Sequence, residues 1–345
     1  MSIRGARIHA HGGLEQITLD EFDAAEPGPG EVRVRVRVAA LNHLDLFVLE
    51  GIPGIDMPLP HVLGGDGAGV VEAVGPDAHG VAAGDEVVLN PGLSCGRCAS
   101  CLGGEQSMCP AYRLLGEHVD GTLAQAIVVP AVNCHQKPSR LSWEQAGSFG
   151  LTTLTAWRML VHNAQVGPGQ TVLIHGVGGG VGLVAMQIAL AAGAQVFVTS
   201  HSDDKLERAA KLGATRGWNY RDADIAREVR AATGRVGVDV VVDNVGTATF
   251  ATSIKACRKG GVIVTCGGTS GHQLPVDARY LFWNHLRIMG STMGSEDDFR
   301  SMVKAVDSGA IDPVVDSVFA LDDTVAAFRR LQAAEQFGKV AVELP

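Results

Sequence analysis

The chain has 345 residues, of which 46% are hydrophobic and 19% charged, with 28 Lys and Arg against 37 Asp and Glu. That length suggests two domains, and that composition excludes a disordered or fibrous chain. A formal charge of −9, with no run of Lys or Arg, argues against nucleic acid or an anionic membrane as partner.

The opening MSIRGARIHAHGG lacks the apolar core of a signal peptide. The longest apolar stretch, VGLVAMQIALAAGA, is interrupted by Gln187 and is too short to span a bilayer. A cytoplasmic protein is expected. Seven cysteines, an odd number with four clustered, favour metal over disulfides in that compartment.

In chain order, the first third reads as β. EVRVRVRVAAL alternates strictly, with Val32, Val34, Val36 and Val38 on one face and Arg33, Arg35 and Arg37 on a solvated one. GAGVVEAVG and GDEVVLNPG continue as short strands between Gly and Pro turns. SCGRCASC then places Cys95, Cys98 and Cys101 three apart, and Cys109 follows. Four thiolates at C-x2-C-x2-C-x7-C spacing suit one closed tetrahedral Zn²⁺, with no open position for chemistry. Cys134, Cys257 and Cys266 stand apart and read as core thiols.

The middle changes period. QTVLIHG is a short apolar strand, LVAMQIALAAG a helix closed by Gly193, AQVFVTS the next strand and DDKLERAAKLGA the next helix. Asp203 and Asp204 read as the N-terminal cap of that helix. VDVVVDNVG and GGVIVTCGG add two buried strands, which indicates a doubly wound parallel sheet. Between the first strand and helix lies HGVGGGVG. Val181 breaks the strict G-x-G-x-x-G pattern, whereas Gly176, Gly179 and Gly182 fit G-x-x-G-x-x-G, and Gly180 adds to the turn. Such a turn lets a pyrophosphate approach the backbone and the helix N-terminus. The second strand ends in Thr199 and Ser200 rather than an acid, and Lys205 follows. A carboxylate at that tip would repel a 2′-phosphate, so NADPH is expected over NADH. The chain closes with an amphipathic helix, DDTVAAFRRLQAAEQ, and a strand, KVAVEL.

The segments GGDGAGVVEAVG, the cysteine lobe, the glycine turn, VVVDNVG and FGKVAVEL make the chain resemble the medium-chain dehydrogenase/reductase superfamily along almost its whole length. The resemblance implies an α/β protein. A β-rich GroES-like catalytic domain spans 1–135, with a structural zinc lobe at about 91–112, and is completed by 295–345. A Rossmann domain spans 136–294, and the active site lies in the cleft. It also implies that the cysteine lobe holds a structural zinc, that Lys339 approaches the cofactor phosphates, that Tyr220 contacts the 2′-phosphate and that Thr153 belongs to the cofactor set. RIMGSTMG lies where relatives pair edge strands, which implies a homodimer or homotetramer.

Zinc alcohol dehydrogenases of this superfamily carry a catalytic Cys, a His-Glu pair and a second Cys where this chain has Asn42, Gly65 with Asp66, and Phe149. A catalytic zinc needs about three protein ligands and an open position. A rebuilt set from His43, His61 and Asp66 is the alternative, giving a zinc alcohol dehydrogenase with atypical ligands. Without that metal, hydride transfer suits activated acceptors, namely quinones and α,β-unsaturated carbonyls, and zinc-free relatives reduce these. Asn42 is then a hydrogen-bond donor to nicotinamide or substrate, or a turn cap. His43 is a proton donor or a structural histidine, and Asp45 orients it or caps the following helix. Trp283 and Phe47 line an apolar pocket or pack in a core. A protein that keeps the nucleotide pocket without turnover is a third reading.

Overall fold

A computed structural model describes residues 1–345, which divide into two compact units. The first comprises 1–151, 295–307 and 313–345, and the second comprises 152–294 and 308–312.

The first unit is built on a seven-stranded sheet. Its path runs Cys134–Gln136, Glu86–Leu89, Asp66–Val74, Glu31–Ala40, Lys339–Glu343 and Val315–Ala320. Glu31–Ala40 is its centre because the valine face is sealed: Val32, Val34, Val36 and Val38 are at most 1% exposed. One half of that strand pairs with Ala126–Pro130 and the other with the C-terminal strand, Ala40 lying opposite Ala341. The same residue Ala40 lies opposite Asp66 on the other side, so Asp66, Ala40 and the C-terminal strand share one row across the sheet. A separate pair, Gly92–Leu93 with Arg113–Leu114, closes the base of the cysteine lobe.

The first unit continues beyond the expected 135 to Leu151, because 136–151 pack on this sheet. A side chain at Gly147 would meet the Val38 carbonyl at 2.5 Å. Conversely, 308–312 belong with the second unit, where Gln187 exchanges two hydrogen bonds with the Asp312 backbone at 2.9 and 2.7 Å.

The second unit holds six parallel strands in the order Arg216–Asn219, Gln195–Ser200, Thr171–Ile174, Val238–Val242, Cys257–Thr265, Arg287–Gly290. In sequence terms this is 3-2-1-4-5-6, the dinucleotide-binding order, whose direction reverses between Thr171–Ile174 and Val238–Val242. His175 and Asp243 are the residues that follow those two strands. No helix is long and apolar enough to cross a membrane.

Candidate functional site

In the second unit the helix Gly180–Ala191 starts at the glycine turn. Its cap is Gly179, which brings no side chain to its first N–H groups, so these are left for an anion. Gly178 has φ +117°, and Gly182 lies so near the turn that a Cβ would sit 2.8 Å from the Gly176 carbonyl. The stem of Lys205 crosses the turn, its Cδ lying 2.8 Å from where a Gly178 side chain would start. Ser200 is buried and accepts a hydrogen bond from the Ser202 N–H at 3.2 Å. Tyr220 is exposed, with its hydroxyl 3.3 Å from His201 Nδ1. Burial, Lys205 and Arg221 together push His201 below the usual histidine range, which reports a basic surround. His201 and Arg221 flank Ser200 and Tyr220 in sequence. The cap of the helix Asp203–Lys211 is Ser202, not the expected Asp203 or Asp204; Asp203 instead accepts from Asn219 at 2.9 Å. Thr153 is buried in the helix Gly150–Trp157.

Beneath the turn runs a buried polar chain that sequence patterns did not reveal. Ser253 Oγ donates to Asp243 Oδ2 at 2.6 Å, and therefore accepts from His175 Nε2 at 3.0 Å. His175 Nδ1 is then the acceptor for the Thr199 hydroxyl at 3.2 Å, and Thr199 Oγ1 accepts the Gly176 N–H at 3.3 Å. In this assignment Ser253, His175 and Thr199 each donate and accept, between the Asp243 carboxylate as acceptor and the Gly176 N–H as donor. Burial holds His175 below its ordinary pKa, so it is the neutral ring this chain requires. The chain ties the turn to the second half of the sheet.

In the first unit, Asn42, Asp66 and Lys339 meet. Lys339 Nζ lies 2.7 Å from Asp66 Oδ2 and also donates to Asn42 Oδ1. Asn42 Nδ2 donates to the same Asp66 oxygen at 3.0 Å and to the Ala40 carbonyl at 3.4 Å. The other Asp66 oxygen accepts the Leu151 N–H. The ion pair is buried, its side chains 6% and 0% exposed. Both amide donors of Asn42 and its acceptor are engaged inside the unit. Lys339, expected at cofactor phosphates, directs two of its three donors to Asn42 and Asp66. The sequence missed this pairing because Asp66 and Lys339 are far apart in the chain and meet only through the shared row at Ala40.

Asp45 does not orient His43. It is the N3 residue of the helix His43–Glu50 and forms a capping box with Asn42, accepting the Asn42 N–H at 2.6 Å and the Gly64 N–H at 2.9 Å. Burial pushes its carboxyl up to about 6, against those two N–H groups and Lys339. His43 is half-buried at the start of this helix. Burial first, and Lys339 second, push its pKa below the usual value, so near pH 7 it is a neutral ring rather than an acid.

His43, His61 and Asp66 are not gathered into one metal-capable group. Both Asp66 oxygens accept hydrogen bonds, and His61 is fully buried with Nδ1 3.6 Å from Asp120. At Gly65 a Cβ would meet Leu151 Cδ1 at 2.8 Å and lie 3.9 Å from Asn42 Nδ2, so Leu151 fills the space of a histidine there. The group of three or more metal-capable side chains is the cysteine set.

Those four cysteines do fit a zinc ion. Their Sγ atoms lie within 4.8 Å of one another, and Cys101 is 3.5 Å from Cys98 and 3.9 Å from Cys95. A tetrahedron with Zn–S bonds of about 2.3 Å has edges of about 3.8 Å. Backbone N–H groups of Arg97 and Cys98 bring the Cys95 thiol down to about 6, and the N–H groups of Cys101 and Ala111 point at Cys98 and Cys109 sulfurs. Gln106 links the lobe to the returning chain, bonding the Cys101 carbonyl and the Glu296 N–H. Cys134 and Cys257 are buried core thiols, both pushed up to about 12 by burial. Cys266 is also pushed up to about 12 by burial but is intermediate in exposure. Phe47 and Trp283 are in neither a core nor a closed pocket, being 37% and 70% exposed.

Comparison with known proteins gives two family matches: an alcohol dehydrogenase GroES-like domain over 28–139 and a zinc-binding dehydrogenase over 180–308. A zinc-type alcohol dehydrogenase-like protein of Schizosaccharomyces pombe is 36% identical, covering 96% of both chains. A crotonyl-CoA reductase of Streptomyces avermitilis is 31% identical over 95% of this chain and 82% of its own. A crystal structure of an NAD-dependent alcohol dehydrogenase superposes with TM-score 0.96 at 46% identity, covering 99% of this chain and all of that one.

Proposed function

The chain belongs to the medium-chain dehydrogenase/reductase superfamily, and from that premise we propose that it reduces quinones or α,β-unsaturated carbonyls with hydride from NADPH and without a catalytic metal. The observation that carries this reading is the Lys339 ammonium on Asp66 and Asn42, where zinc dehydrogenases place metal ligands. An activated acceptor needs only hydrogen bonds and a proton once hydride arrives. The crotonyl-CoA reductase relative, named for an α,β-unsaturated thioester, is in keeping with that substrate class.

NADPH, when bound, supplies the hydride. The N-terminus of the helix Gly180–Ala191 binds its pyrophosphate, backed by Gly176, Gly179, Gly180, Val181 and Gly182. Ser200, His201, Lys205, Tyr220 and Arg221 take the 2′-phosphate, and Thr153 contacts the nicotinamide end. His43, whose pKa burial and Lys339 lower, hydrogen-bonds the substrate. Cys95, Cys98, Cys101 and Cys109 hold one structural zinc. The edge strand Arg287–Gly290, beside the exposed Phe282 and Trp283, supports a homodimer or homotetramer.

The test is steady-state kinetics with NADPH and NADH against a quinone and enone panel, and with NADP⁺ and NAD⁺ against primary alcohols. Oxidation of NADPH by quinones or enones is expected, with NADH the weaker donor. Alcohol oxidation that requires added zinc, with no turnover of either acceptor class, would overturn the reading in favour of a zinc alcohol dehydrogenase. Tight NADPH binding with no turnover at all would favour a binding role.

A further inference from the structure

We propose that Lys339 is the electrophile of this chain: the third N–H of its ammonium bonds the substrate oxygen on which negative charge develops. This rests on the hydride-transfer reading above. An ammonium has three donors. Two are spent, on Asn42 Oδ1 and Asp66 Oδ2, and the third has no partner within the chain. The side chain is not fully sealed, at 6% exposure.

The group is also held in place. The Lys339 N–H bonds the Val314 carbonyl at 2.9 Å, and Gly338 before it, at φ +111°, has no room for a side chain, whose Cβ would lie 2.3 Å from that same carbonyl. Lys339 then enters the central sheet as the first residue of a strand flanked on both sides. Asp66 neutralises the ammonium overall but leaves its free N–H directed, and Asn42 fixes the rotation about the last bond. Stability gives little reason to keep such a pair, since buried ion pairs are often no better than apolar packing. Preorganised charge at a developing oxyanion is a reason. The lowered pKa of His43 is consistent, because Lys339 contributes to it.

In the step itself, the C4–H bond of the dihydronicotinamide breaks and a C–H bond forms at the electron-poor β-carbon. The C=C pair shifts toward the carbonyl, leaving an enolate whose oxygen accepts the Lys339 hydrogen bond. The nicotinamide is oxidised and the enone reduced. Lys339 keeps its proton, and water protonates the enolate.

The experiment uses the full chain and the variants Lys339→Met/Asp66→Asn, which removes both charges together, and Asp66→Asn, which keeps the ammonium. Three quantities are read: kcat for enone or quinone reduction, NADPH Kd by fluorescence, and the apparent pKa of bound 4-nitrophenol by absorbance without cofactor. The wild-type protein is expected to lower the nitrophenol pKa by about one unit relative to the double variant. The single variant should lower it further. In the double variant kcat should fall about 10²-fold or more, with NADPH Kd within about threefold. A folded double variant with wild-type kcat and an unchanged nitrophenol pKa makes Lys339 a counter-ion only and overturns the proposal. So does a rise in NADPH Kd without loss of kcat, which would return Lys339 to the cofactor phosphates. If the double variant does not fold, an unchanged nitrophenol pKa in Asp66→Asn overturns it. Failure of the broader reading looks different: wild-type protein would oxidise no NADPH with any acceptor.

Discussion

The cysteine lobe and the Asn42–Asp66–Lys339 cluster are two gatherings of polar side chains in the first unit, and they balance charge in opposite ways. Four thiols converge within 4.8 Å, and once ionised they demand a divalent cation. A single carboxylate, with an amide and a backbone N–H beside it, is balanced by one ammonium. The difference teaches that a metal position is decided by the number of anionic donors left in it.

That comparison can be broken at either end. The largest expected effect comes from the lobe. The wild-type chain, purified without added metal, should carry one zinc by elemental analysis, and Cys101→Ala/Cys109→Ala should carry none. Loss of the metal should cost about 4 kcal/mol or more in chemical denaturation and make 94–112 protease-sensitive. Two zinc ions per wild-type chain would end the contrast.

Next comes the ion pair. Lys339→Met alone strands a buried carboxylate and should destabilise by about 3–5 kcal/mol, with much of this recovered when Asp66→Asn is added. Equal losses in the single and double variants would mean that the two groups do not share a charge.

The smallest effect sharpens the comparison next door, at Asp45, a buried acid that caps a helix without a cation of its own. Its folded pKa, about 6, stands above the unfolded 3.8. The folded state therefore binds the proton more tightly. The resulting stability is full below about 4, is lost as pH rises through about 6, and amounts to roughly 2–3 kcal/mol. Urea titrations from pH 4 to 7 should show this decline, and Asp45→Asn should flatten it.

Much of the molecule was legible in the chain itself. Strict alternation at Val32–Val38, strand–turn–helix order around Gly176–Gly182 and the spacing of Cys95, Cys98, Cys101 and Cys109 are local patterns, set by backbone period and ligand reach. Absence of ligand types at Asn42, Gly65 and Phe149 was equally readable. Other features were not. Ser202 rather than Asp203 caps its helix, a choice between neighbours that turns on backbone angles. Asp45 faces two N–H groups rather than His43.

What the sequence determined, then, is the α/β class, the parallel sheet, the glycine-rich turn between strand and helix and the close set of four cysteines, because each depends on residues near one another in the chain. What only the tertiary structure decided is where Lys339 and His175 direct their polar atoms. Asp66, Ala40 and the C-terminal strand become neighbours through sheet register, and Thr199, His175, Ser253 and Asp243 become one chain through the order of the parallel strands. Such contacts carry no period in sequence, since hydrogen bonds in a sheet join segments whose separation along the chain is arbitrary.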